Sequence, residues 1–367
     1  MMKTYPLHSI SLEEAKQKQF ALVDEICREF EGAEFLNLGD LGVVQPGNKP
    51  TYAGKAERVL ARFFHAEKAI LVTGAGTGAI RWGLTAMLKP NSRVLVHKAP
   101  VYPTTLTSLN GLNATLIEAD FNDLENIRKV MQEQDVDGAI VQYTRQKPDD
   151  SYEMQAVIDT IKACKDIPII TDDNYAAMKV SKIGVELGAD LSAFSAFKLL
   201  GPEGVGILLG KAELIDEVER NNYSGGSKVQ GWQAMELLRM LVYAPVALAI
   251  QAGENERIVH ALNDGRIPEI KDAFLANAQS KVLLVEFRED IAEAVLEEAQ
   301  KLGAAPNPVG AESKYEVVPM FYRVSGTFLK NDPTLKKRMI RINPMRGGSE
   351  TILRILKESI RKVKECS

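Results

Sequence analysis

The chain has 367 residues, 45% of them apolar and 26% charged, and carries a net charge of −4. That length suits about two domains, and the composition is that of a globular protein rather than a disordered or fibrous one. A weakly acidic balance gives no electrostatic case for nucleic acid or an anionic membrane as partner.

Three scattered cysteines (Cys27, Cys164, Cys366) and four dispersed histidines (His8, His65, His97, His260) lack metal-ligand spacing. No uninterrupted apolar run reaches the roughly 20 residues that span a bilayer. The segment Met1 to Pro6 has no apolar core of the signal-peptide kind and leads into Glu13, Glu14 and Lys16. The expectation is a reduced, cytoplasmic protein without a metal or a membrane partner.

Residues 1 to about 30 read as an arm ending in a helix, with Leu12, Ala15, Phe20, Val23, Ile26 and Phe30 at helical spacing. The Gly- and Pro-rich stretch from Asn37 to Thr51 is loop, and a helix follows over about 55–64. Strands and helices then alternate. Strands are expected at 69–73, 93–96, 114–117, 138–142, 168–171, 191–195 and 205–209, and helices at 79–88, 124–134 and 154–164. Short Val/Ile/Leu runs between helices imply a mostly parallel sheet covered on both faces. From Gln233 through Ile258 the pattern is one long helix with Pro245 inside it, where a bend or break is expected. A C-terminal α+β unit completes the chain. Its expected parts are a strand at 282–285, a helix at 291–302, strands near 316–318 and 339–342, and a terminal helix over 350–364. The implied division is an arm at 1–50, a large domain at 51–240 and a small domain at 241–367.

In open parallel sheets, ligands sit beyond the carboxyl ends of the strands, and three features fall there. Gly74-Ala75-Gly76-Thr77-Gly78-Ala79 follows the first strand and opens a helix. Uncovered backbone N–H groups at a helix start suit a phosphate, although the stretch reads equally as a tight strand–helix turn and matches neither the Rossmann nor the Walker spacing. Asp172-Asp173-Asn174-Tyr175 follows the fifth strand. A buried acid there needs a cation or a donor, or else caps a turn. Lys198 lies downstream, between Ala196-Phe197 and Leu199-Leu200-Gly201-Pro202. Lysine is seldom buried, and one in such surroundings is either a solvated turn residue or a nucleophilic amine. A phosphate turn, a strand-end Asp and a Lys in that order are the parts a pyridoxal 5′-phosphate site requires.

The run Leu187-Gly188-Ala189-Asp190 through Ser195-Ala196-Phe197-Lys198 resembles the Schiff-base segment of fold-type I pyridoxal-phosphate enzymes. It is most similar to that of the cystathionine γ-synthase/γ-lyase (Cys/Met metabolism) group, which reads Leu-Gly-Ala-Asp and then Ser-x-Thr-Lys. The resemblance implies an α/β fold of the fold-type I transferase kind with a C-terminal α+β domain. It makes Lys198 the residue that carries the cofactor and Ser195 a phosphate ligand. Asp172 is then the partner of the pyridine nitrogen, by likeness of Asp-Asp-Asn-Tyr-Ala to the family's Asp-Asn-Thr-Phe-Ala. Gly76, Thr77 and Gly78 take the phosphate-turn position, and Tyr102 that of the ring-stacking tyrosine. Arg341, in Ile340-Arg341-Ile342-Asn343-Pro344, resembles the arginine that grips the substrate α-carboxylate. Such sites lie between subunits, so a homodimer or homotetramer is implied, with residues of the loop from Gly39 to Tyr52 reaching the partner's cofactor.

Two departures bear on the substrate. Tyr52-Ala53-Gly54 stands where the family has Tyr-x-Arg, and Arg145-Gln146-Lys147-Pro148 where it has Ser/Thr-Asn-Pro. Arg145 or Lys147 either meets an extra anionic group or belongs to a solvated loop. Ser224 to Lys228 reads as an active-site loop or a linker, Trp82 and Trp232 as core, and Cys164 as inert packing. The expected activity is that of a lyase or transferase on an amino-acid substrate. A class V-type aminotransferase is the second reading, and a non-catalytic regulatory protein of the same fold the third. A dinucleotide-dependent dehydrogenase would need a fingerprint the chain lacks.

Overall fold

A computed structural model describes the chain apart from residues 1, 2, 145, 278–280, 309–311, 325–328, 330, 331, 366 and 367. Arg145 and Cys366 therefore lie outside the described residues. The chain divides into two compact units, one made of Glu13–Gln146 and Ser151–Pro245, the other of Met1–Leu12, Lys147–Asp150 and Val246–Ser367.

The larger unit is built on seven strands: β1 (Lys68–Thr73), β2 (Arg93–His97), β3 (Thr115–Ala119), β4 (Gly138–Gln142), β5 (Ile169–Asp172), β6 (Leu191–Ser195) and β7 (Val205–Gly210). Their order across the sheet is β1-β7-β6-β5-β4-β2-β3, and β7 alone runs against its neighbours. Successive side chains of a strand point to opposite faces, and the apolar runs feed two cores accordingly. Val94, Val96, Ile140 and Ile170 pack on one face, with Ile80 and Leu84 of α3 (Ala75–Met87). Leu95, Ala139, Val141 and Ile169 pack on the other. There they meet Ile127 of α5 (Leu124–Glu133) and Val157 and Ile161 of α6 (Met154–Cys164). Three further helices, α1 (Leu12–Glu29), α2 (Thr51–Phe63) and α4 (Pro103–Gly111), precede or separate these elements, and α7 (Ala212–Asn221) follows β7. The sequence reading missed α4 and α7. α4 opens with Pro103, a residue pre-shaped for a helix start, and α7 buries only Ile215 and Val218, a stripe too narrow for the pattern to stand out.

Strand β1 forms a sheet edge, and side chains occupy part of it. Glu57 of α2 accepts from Leu71 N at 2.9 Å and from Lys49 Nζ at 2.6 Å. The segment Ser224 to Lys228 is pinned beside the same strand. Lys228 forms an antiparallel bridge with Val72, and Thr73 Oγ1 donates to Ser227 O at 3.4 Å.

In the smaller unit β8 (Ile270–Ala276), β9 (Val282–Phe287), β10 (Met320–Arg323) and β11 (Met339–Asn343) form an antiparallel sheet in the order β10-β11-β9-β8. Its core is Leu283, Val285, Ile340 and Ile342 against α9 (Ala292–Lys301) and α10 (Ser349–Glu365), through Val295, Ile352 and Leu356. The strand expected near 316–318 begins instead at Met320. Glu316 closes a turn, its carboxylate accepting from Ser313 N at 2.7 Å.

Helix α8 (Gly231–Asn263) continues through Pro245, where a bend or break was expected, so the helix is not broken there, and the division between the two units falls at that residue. By length and composition α8 could cross a membrane, but half of its apolar stretch is buried within the protein, as in a core helix.

Candidate active site

Parallel strands bring their carboxyl ends to one edge of a sheet, and the expected site residues of the larger unit collect there. Asp172 ends β5, Ser195 ends β6, and Lys198 sits in the 3₁₀ turn Ala196–Leu199 that follows. Gly76, Thr77 and Gly78 form the first turn of α3, and Tyr102 immediately precedes α4.

Asn174 ties these parts together, a role its place in the sequence did not disclose. Its backbone N and Nδ2 donate to Asp172 Oδ1 at 3.1 and 2.7 Å, and its Oδ1 accepts from Ser195 N at 3.0 Å. The first of these bonds is an Asx turn; a polar residue two places after an acid was the available signal. Gly76 packs on the same amide, where a Cβ would stand 2.7 Å from Asn174 Nδ2, so any other residue would displace it. Gly78 is equally constrained, since a Cβ there would meet Thr73 O at 2.1 Å.

At the start of α3, the amides of Gly74 and Ala75 both donate to Gly204 O, and that of Gly78 to Gly74 O. Among the described residues, the amides of Gly76 and Thr77 take no backbone acceptor, which leaves two donors at a helix N-terminus. Thr77 Oγ1 donates to Thr104 Oγ1 at 3.2 Å, linking this turn to the start of α4 beside Tyr102.

Asp172 is 7% exposed. Burial pushes its carboxyl above the usual carboxylate range, although the Lys198 charge and the Asn174 hydrogen bonds pull the other way. Lys198 is half-buried rather than buried, its Nζ 4.0 Å from the centre of the Tyr175 ring. Tyr102 is exposed and lines, with Asp172, Gln146 and Thr105, a recess of about 20 Å³. Thr105 Oγ1 is buried there without a hydrogen-bond partner among the described residues.

Asp173 turns away from Asp172. Thr171 Oγ1 donates to its Oδ2 at 2.9 Å and Gly184 N at 3.3 Å, while Oδ1 has no hydrogen-bond partner among the described residues. Burial, reinforced by the Asp172 charge, pushes this carboxyl up to about 7 against the hydrogen bonds from Ser192, Thr171 and Gly184.

Arg341 lies on β11 of the smaller unit, buried, its guanidinium 4.6 Å from the centre of the Tyr322 ring. In that unit too, Lys147 is engaged with Asp150, which accepts from its backbone N at 2.7 Å and lies 3.8 Å from its Nζ. Two expectations of burial fail. Cys164, at the last position of α6, is exposed, and Trp232 at the start of α8 is 46% exposed, whereas Trp82 packs on the core. Helix ends carry their last side chains past the layer they cover, which periodicity alone does not register.

The model of the family "Aminotransferase class-V" matches residues 51–254, and that of the "YhfS-like, C-terminal domain" matches residues 256–356. The chain belongs to the class-V aminotransferase family. The YhfS protein of Escherichia coli K12 is 57% identical over 362 residues, which span 99% of this chain and 100% of that one. The crystal structure of E. coli YhfS, described as pyridoxal-5′-phosphate dependent, matches with a TM-score of 0.97 over 98% of this chain and 100% of that one. Cystathionine gamma synthase of Xanthomonas oryzae pv. oryzae matches with a TM-score of 0.71 at 15% identity, over 95% of this chain and 98% of that one, a likeness of fold. A 58-residue stretch is 40% identical to a probable cysteine desulfurase of Staphylococcus aureus Mu50, 16% of this chain and 14% of that one.

This class-V aminotransferase-family chain thus has the fold-type I architecture, and its cofactor is pyridoxal 5′-phosphate. The residues present fit that group. Two uncommitted amides and the Ser195 hydroxyl can hold a phosphate, and the amine of Lys198 is of the kind that bonds an aldehyde. Asp172 supplies the telling match: burial keeps its carboxyl short of the charge compensation that a protonated ring nitrogen would bring.

Proposed function

We propose that the protein is a pyridoxal-phosphate-dependent lyase or transferase of the cystathionine γ-synthase/γ-lyase kind acting on an amino acid, with Lys198 as the cofactor lysine. The observation that carries this reading is that Asn174, hydrogen-bonded to both Asp172 and Ser195, packs against the Gly76 turn at the sheet edge that also presents Lys198. A brace or a turn cap would not need these four at one sheet edge.

When bound, the cofactor supplies an electron sink for a carbanion at the substrate Cα. The chain supplies the rest. Asp172 would hold a proton at the ring nitrogen, and Gly76, Thr77 and Ser195 would hold the phosphate. Tyr102, exposed beside Asp172, would stack on the ring. The Lys198 amine, within the field of Asp172, takes the proton from Cα as general base. Arg341 is our candidate for the substrate α-carboxylate, by the bidentate geometry of its fork.

The family match over residues 51–254 favours a second reading, an aminotransferase. It uses the same residues and differs in where the proton returns. Purified holoenzyme incubated with a panel of amino acids separates the two. An oxo acid released with ammonia, or a replaced side-chain group, supports the first reading. An oxo acid without ammonia, in a reaction that requires a second oxo acid, supports the other. Neither product from any amino acid of the panel would count against an enzyme and for a regulatory protein of this fold.

We also propose a homodimer or homotetramer. Leu36, Leu38, Leu41 and Val44 are exposed on and beside the loop from Gly39 to Tyr52, an apolar surface of the kind that a subunit interface covers. An active, strictly monomeric preparation in analytical ultracentrifugation would refute this.

A further inference from the structure

Tyr175 has none of the roles above. It stands where the Asp-Asn-Thr-Phe-Ala pattern carries phenylalanine, and its backbone is left-handed at φ +64°, which bulky residues rarely adopt. The turn is fixed from within, since the amides of Ala176 and Ala177 both donate to Asp173 O at 3.0 Å. The ring's place is therefore set by the same short segment that presents Asp172. Lys198 Nζ lies 4.0 Å from the ring centre and Lys179 Nζ 5.7 Å, both within the range of a cation–π attraction.

We propose that Tyr175 is a positioning residue whose ring face seats the Lys198 nitrogen and favours its protonated state. Asp172, from the end of β5, favours the cation, and Lys179, from the turn that follows, shares the ring with Lys198. Asp173 is turned into the β5–β6 layer. Once Asp172 is committed to a protonated ring nitrogen, its charge is largely offset. The Tyr175 face remains. This gives the chain a fixed bias on an amine that must both accept and return a proton. The inference rests on Lys198 being the cofactor lysine.

The test compares holoenzymes of the wild type, Tyr175→Leu, Tyr175→Phe and a variant carrying pentafluorophenylalanine at position 175, which keeps the ring's shape and reverses its face charge. Borohydride reduction and peptide mapping first locate the cofactor. Label on a residue other than Lys198 would sink the underlying assignment together with this inference.

With label on Lys198, the visible absorption of the bound cofactor is followed from about pH 5 to 10. The midpoint for loss of the protonated form should stay put in Tyr175→Phe. It should fall by about half to one and a half pH units in the leucine and fluorinated variants. An unmoved midpoint in those two, or an equal fall in the phenylalanine variant, would overturn the role of Tyr175 and leave Lys198 intact. For a variant that fails to retain cofactor, the pH dependence of Lys198 acetylation is measured against cofactor-stripped wild type. The same downward shift is expected, and its absence is equally decisive.

Discussion

At the amino end of β6, Asp190 is 2% exposed and accepts from Ile169 N and Lys162 Nζ, each at 2.8 Å, while Lys211 Nζ lies 2.7 Å away. Burial pushes its carboxyl up, but the hydrogen bonds from the two lysines and the backbone outweigh it and hold the group below its ordinary range. At the carboxyl end of β5, Asp172 is almost as buried, with the Asn174 amide and the nearby Lys198 charge as its support, and there burial wins. The two acids share a sheet and differ in what completes them. Asp190 is satisfied by its own chain and acts as a brace between β5, α6 and the start of α7. Asp172 is left short of compensation on the edge where ligands bind. A displaced pKa in a sheet of this kind therefore discriminates only once its direction and partners are known.

The largest effect expected from breaking this contrast lies at the ligand edge. Lys198→Ala should abolish the visible absorption band and lower turnover by about 10⁴-fold. Asp172→Ala should weaken cofactor binding by ~10²-fold or more, read by equilibrium dialysis, because it strands a buried cation. Neither should alter the cooperativity of denaturant unfolding, since both act on the ligand and not on the layers. Asp190→Ala should do the reverse. It leaves two lysines that can partly turn to solvent and one buried backbone N–H, so a loss of about 2–3 kcal/mol in urea unfolding is expected, with cofactor affinity retained. A cofactor affinity that fell in step with stability would dissolve the distinction.

The smallest and sharpest test uses Asp173, the neighbour whose carboxyl is pushed from an ordinary value near 3.8 up to about 7. A carboxyl raised on folding adds stability that is fully present below its unfolded pKa and disappears as pH rises through the folded one. The wild type should therefore lose stability relative to Asp173→Asn between about pH 4 and 7. Thermal melts at several pH values would show the gap between the two narrowing or reversing. A gap independent of pH would mean that the carboxyl is ionised throughout.

Much of this was legible beforehand because it is local. Runs such as Ala139-Ile140-Val141 alternate their side chains between two apolar layers, so they could only be strands buried on both faces. Gly76 and Gly78 announced a close backbone approach, and the segments around Asp172 and Lys198 carried a recognisable order. What escaped was whatever depends on partners distant in the chain. The bond from Ser195 N to Asn174 and the seat of Lys198 on Tyr175 join residues brought together only by parallel pairing of β5 with β6. The exposure of Cys164 and Trp232 escaped for a related reason: periodicity names a face but not where the neighbouring layer stops.

The sequence by itself therefore determined the fold class, the alternation of strands and helices across the larger unit, and the order of a glycine turn, an acid and a lysine along the chain. Those follow from side-chain periodicity and backbone sterics acting over a few residues. Only the tertiary structure decided that Asp172 and Asp173, adjacent in sequence, serve different neighbourhoods, that β7 runs against the rest of its sheet, and that Asp190 is a brace. The reason is physical: the charge state and the role of a buried group are set by what packs around it, and its neighbours in space are drawn from strands and helices far apart in the chain.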